Sequence, residues 1–184
     1  STTEALSARV AIAAIGVFEH WNGDESMDGT QFASALYNRL PESKDHIKKA
    51  GGFFKWLQSC TFLSFKALKN PKQTGAQTVS LNLSSSRDED HRTAAVLCRL
   101  AIQVLLESGS ANGTSNDVSF ARLFYDKCDL EATSKRAWET AILKAGGLKA
   151  WVSSRTFLAS IDSTIHLKLH EGTLTPTPIA DEIL

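Results

Sequence analysis

Apolar residues recur at helical spacing from Leu6 to Trp21, and the polar tract Asn22-Gly23-Asp24-Glu25 closes the segment, which predicts a first helix. Phe32, Leu36, Tyr37 and Leu40 mark a second helix, with Thr30 or Asp28 available as its cap and Pro41 at its end. Ser43 can cap a short helix carrying Ile47, and Gly51-Gly52 stops it by supplying left-handed backbone. Phe53 to Leu57 reads as another short helix with Phe53, Trp56 and Leu57 on one face. Thr61 to Leu68 is extended, Asn70 to Gly75 is a turn, and Thr78 to Leu83 alternates as a strand. The same order then returns. Helices are expected over Ala94–Glu107, Phe120–Cys128, Ala137–Ala145 and Leu148–Val152, and strands near Phe157–Ile161 and Thr164–His170.

The return is a repeat of residues as well as of pattern. AGGFFKWLQSCTFL (50–63) and AGGLKAWVSSRTFL (145–158) share Ala, Gly, Gly, Trp, Ser, Thr, Phe and Leu in one gapless order. Further matches flank this block: Phe32-Ala33 with Phe120-Ala121, Tyr37 with Tyr125, and Thr78–Leu83 with Thr164–Leu169. We expect two copies of one module, over 5–84 and 91–172, with a polar linker at 85–90 and an extended tail at 173–184. Helices followed by a two-stranded hairpin predict a mainly α fold with small β wings: tandem duplicated winged-helix (helix-turn-helix) domains.

The residues Tyr37, Gly51-Gly52-Phe53, Trp56-Leu57 and Phe62 or Phe65, with Tyr125, Gly146-Gly147-Leu148, Trp151-Val152 and Phe157 in the second copy, resemble the LOTUS (OST-HTH) domain. That is a winged-helix module of RNA-associated proteins. The resemblance covers nearly all of the chain twice. It implies binding to RNA, or in some members to a helicase partner, without catalysis by the domain itself.

Charge changes the picture when it is read by segment. Over the 184 residues, 20 Lys plus Arg balance 20 Asp plus Glu. Between residues 44 and 72, however, Lys44, Lys48, Lys49, Lys55, Lys66, Lys69 and Lys72 face only Asp45, while Glu19, Asp24, Glu25 and Asp28 form an acidic stretch before them. The lysines read either as a phosphate-contacting face or as a solvated face balanced by the acidic loop. The second copy is weaker: Lys135, Arg136, Lys144, Lys149, Arg155 and Lys168 are opposed by Glu131, Glu139 and Asp162. If RNA binds, the first copy should dominate, and the second copy or the tail is the place for a protein partner. Trp56 and Trp151 occupy equivalent positions and read as core. Phe54, replaced by Lys149 in the second copy, points off the apolar face and is a candidate stacking contact.

Other chemistry is excluded by spacing. Asp24 to Gly29 imitates the start of a calcium loop, but the required glutamate position holds Ala35. The five histidines read as surface residues without metal spacing, no phosphate loop occurs, and no cofactor motif is found. Cys60, Cys98 and Cys128 fit no zinc or disulfide framework and suggest buried thiols in a reducing, intracellular compartment. No run reaches the length of a membrane span. The expected function is non-enzymatic RNA binding; the alternative is an adaptor subunit whose winged helices contact protein.

Overall fold

A computed structural model describes residues 2–22, 25–67, 77–82, 90–107, 114–131 and 135–171. The first half runs α1 (Thr2–Glu19), β1 (Ser26–Asp28), α2 (Gly29–Arg39), α3 (Glu42–Lys49), α4 (Phe53–Ser59), β2 (Leu63–Ala67) and β3 (Gln77–Leu81). The second runs α5 (His91–Glu107), β4 (Thr114–Asn116), α6 (Asp117–Glu131), α7 (Lys135–Lys144), α8 (Leu148–Ser153), β5 (Leu158–Ile161) and β6 (Thr164–Leu167). The structure is thus mainly helical with small antiparallel sheets. The sheets have the orders β1-β3-β2 and β4-β6-β5. Register recurs too: Val79 pairs with Met27 and Phe65, and Ile165 with Ser115 and Ser160.

Each sheet has three strands where the sequence suggests two. Ser26-Met27-Asp28 is too short to show alternation, and only Met27 is buried there. The acidic tract that resembles a calcium loop therefore contributes a strand and a cap: the Asp28 carboxylate accepts hydrogen bonds from the backbone N–H of Thr30 (2.8 Å) and Gln31 (3.3 Å). Asn116 plays the same part before α6, accepting from the N–H of Ser119 at 2.8 Å. Ser43 does not cap α3. Pro41 holds that position, where no N–H is needed, and the buried Ser43 hydroxyl donates back to the Leu40 carbonyl at 2.5 Å.

The turn between α3 and α4 explains the double glycine. Gly51 and Gly52 have φ of 102° and 104°, and their N–H groups reach the carbonyls of Lys48 (3.1 Å) and Ile47 (3.0 Å). Gly146 and Gly147 repeat this at φ of 99° and 105° with Leu143 and Ile142. Both are helix stops that satisfy the last free carbonyls with residues lacking a Cβ.

One hydrophobic core runs through both halves. Helix α5 buries residues around most of its circumference, among them Leu97, Leu100, Ala101, Val104 and Leu105, because it packs on its own half and on α1. Arg99 of α5 clamps Glu19 of α1 through Nε (2.5 Å) and Nη2 (3.0 Å). A second seam joins the ends of the halves: Thr61 N–H donates to Leu169 O (3.0 Å) and Glu171 N–H to Ser59 O (2.7 Å). Trp56 and Trp151 are fully buried, as the repeat suggests. All three cysteines are buried, and burial pushes the Cys128 thiol up to about 12. The histidines correct the sequence reading: His20 is exposed, but His46, His91, His166 and His170 are half-buried. No helix among the described residues is long and apolar enough to cross a membrane.

Candidate nucleic-acid interface

Helix α3 buries Ser43 and Ile47, one turn apart, which leaves Lys44, Lys48 and Lys49 exposed on its other sides. Helix α4 buries Trp56 and Leu57 and exposes Phe54 and Lys55. The glycine turn brings the two lysine sets together. A Cβ built on Gly51 would fall 2.6 Å from Lys55 Cδ, so the Lys55 stem lies against the end of α3, where Lys48 and Lys49 form the last turn. Phe53 turns inward, with ring centroids 6.1 Å from Phe32 and 6.2 Å from Trp56. Phe54 stays 45% exposed and meets Phe65 of β2 edge to face at 5.6 Å. The structure thereby adds Phe65 to the site, a residue singled out in the sequence only for the resemblance it carries.

Lys66 is exposed on β2 but on the opposite side of the strand from Phe65. Ser64 and Phe65 both line a polar cleft of about 550 Å³ between the halves, together with Asn82, Arg155 and Lys168. Lys69 and Lys72 lie outside the described residues, as do the linker at 85–89 and the tail at 173–184. Five of the seven lysines of the basic segment are therefore placed: Lys48, Lys49 and Lys55 meet at the α3–α4 turn, Lys44 lies one helical turn before Lys48, and Lys66 stands on the sheet.

Their electrostatics differ from those of the four cations that hold carboxylates. Among the described residues, carboxylates are engaged by Arg9 (with Glu42), Arg99 (with Glu19 and Glu131), Lys127 (with Glu107 and Glu131) and Lys135 (with Asp129 and Glu139). None of these pairs uses Lys44, Lys48, Lys49, Lys55 or Lys66. The positive field is felt locally: burial and then Lys49 hold the His46 imidazole below its usual value. His170, whose Nδ1 lies 2.9 Å from the Ser59 hydroxyl, is held down to about 4 by burial and by His46. Protonation of His46 on α3 and of His170 in the second half is thus mutually unfavourable.

No family model, curated protein or solved structure matches the chain. The reading of this face rests on the chain's own geometry and on its internal repeat. The equivalent positions of the second half carry Glu139 for Lys44, Leu143 for Lys48, Lys144 for Lys49, Lys149 for Phe54, Ala150 for Lys55 and Ile161 for Lys66. Leu143 is 78% exposed and Ile161 48%. Arg155 is not a surface cation: it is buried, with its guanidinium 5.0 Å from the centre of the Trp151 ring. No group of histidine, cysteine and carboxylate residues suited to a metal ion occurs among the described residues.

Proposed function

We propose that the chain is a non-enzymatic RNA-binding protein built of tandem winged-helix modules, and that the face formed by α3, α4 and β2 of the first module makes the contact. The observation that carries this reading is the group of exposed lysines at Lys44, Lys48, Lys49 and Lys55, outside the ion pairs of the described residues, beside the exposed edge of the Phe54–Phe65 pair. Lysines in such a setting neutralise phosphates and release counterions, while an exposed ring offers an unpaired base a stacking surface. The recurring order helix, strand, three helices, hairpin, with the third strand central in each sheet, supports the winged-helix assignment. It is also in keeping with the resemblance to the LOTUS domain.

The test is a titration of labelled single-stranded and structured RNA at two salt concentrations. Binding that weakens with salt and is lost in a Lys48→Glu/Lys49→Glu/Lys55→Glu variant supports the reading; no binding at low salt refutes it. A second reading concerns the other module. Its equivalent face carries exposed Leu143 and Ile161, which favours an adaptor role with a protein partner.

A further inference from the structure

In the first half, Phe54 and Phe65 close ring against ring over the space between α4 and β2. The equivalent residues of the second half are Lys149 and Ser160, and the space there is an open pocket of about 390 Å³. Its apolar walls include Val118, Leu148, Val152 and Ile165. Val152 and Ile165 are buried, whereas Val118 stands 75% exposed beside the opening. Asp117, Lys149 and Ser160 supply its polar edge.

We propose that this pocket anchors a protein partner, a peptide segment that inserts one leucine- to phenylalanine-sized side chain and carries a basic residue next to it. The size follows from the repeat, because the first half fills the corresponding place with its own aromatic side chains. The class of partner follows from charge. Asp117 at the edge and Asp162 in the adjoining β5–β6 turn outnumber Lys149. Such an edge repels phosphate and attracts a cationic peptide. Covering Val118 adds apolar area to the contact, as expected of an anchor pocket surrounded by polar groups. The inference deepens the adaptor reading of the second module and does not depend on RNA binding.

The test is selection of a random displayed peptide library on the full chain, followed by titration of the selected peptide as a synthetic, labelled probe. Selected peptides should share an aromatic or aliphatic anchor beside Lys or Arg. Ser160→Phe, which restores the first-half residue, should weaken binding at least tenfold while leaving the thermal midpoint unchanged or raised. Val118→Glu, at an exposed position, should weaken it similarly without touching the core. RNA affinity should be the same in both variants. Peptides that bind both variants as tightly as the parent would overturn the pocket while leaving the adaptor reading standing; failure to select any peptide would overturn both. Loss of RNA binding in Ser160→Phe would assign the pocket to nucleic acid and also overturn the proposal.

Discussion

The two halves agree where they are buried and differ where they meet solvent. Ile47 and Ile142, Trp56 and Trp151, Leu57 and Val152, and Phe62 and Phe157 occupy matching positions and are all buried. The paired glycines share even their backbone angles. On the surface, Lys44, Lys48, Lys55 and Lys66 of the first half face Glu139, Leu143, Ala150 and Ile161 of the second. Core packing tolerates little change in volume, so the scaffold is held, whereas exposed positions are free to vary. One scaffold therefore presents a cationic face in the first half and, in the second, a face on which acidic and apolar residues replace most of those lysines. Neither the zero net charge nor the shared fold discloses that difference.

The largest effects should come from the shared features. Trp56→Ala and Trp151→Ala should each cost about 3–5 kcal/mol, because both rings are fully buried. Since one core spans the halves, each variant should unfold in a single transition in a urea titration. Two separate transitions would break the picture of α1 and α5 as a common spine. Next comes the Arg99–Glu19 clamp, whose side chains are 16% and 10% exposed. Arg99→Ala should cost about 2–4 kcal/mol by stranding Glu19, and Arg99→Met with Glu19→Leu should recover most of it. Recovery of nothing would mean that the clamp acts through something other than its charge.

The inter-half seam should be sensitive to acid. Burial and His46 hold His170 at about 4, below the ordinary 6.5. Between those values the unfolded chain binds a proton that the folded chain refuses, so stability falls as pH drops from about 6.5 towards 4. The loss should be about 1–3 kcal/mol and should shrink in His170→Gln. His46, His91 and His166 are also lowered chiefly by burial, and their contributions, of the same sign, remain in that variant. Stability curves at neutral and acid pH for the parent and the variant decide this. The smallest effect should be at the turns. Gly51→Ala and Gly146→Ala should each cost about 1–2 kcal/mol because both residues sit at positive φ. Only Gly51→Ala should also weaken RNA binding, since its Cβ displaces Lys55.

Most helices are legible in the sequence because each buries one stripe: Phe32 and Leu36 in α2, Trp56 and Leu57 in α4. The repeat supplies the rest of that reading, and both glycine stops follow from it. Strands β1 and β4 are not legible, since three residues cannot display a period of two. Nor is the α1–α5 packing, because a buried stripe does not name its partner. At the candidate site, the exposure of Phe54 and its replacement by Lys149 are readable in the repeat. The pocket is not: aligning Phe65 with Ser160 shows a smaller side chain, but only the fold shows that nothing from Val118 or Leu148 takes up the space.

The claim at the centre of this account is that equivalent faces of the two halves recognise different partners. The most direct measurement exchanges them: RNA affinity over a salt series for the parent, for Lys44→Glu/Lys48→Leu/Lys55→Ala, and for Glu139→Lys/Leu143→Lys/Ala150→Lys. The account predicts salt-sensitive binding by the parent and its loss in the first variant, with the salt slope falling by about one for each phosphate-contacting lysine removed. The second variant should gain affinity. Equal RNA affinity and equal salt slope in the parent and the first variant would contradict it.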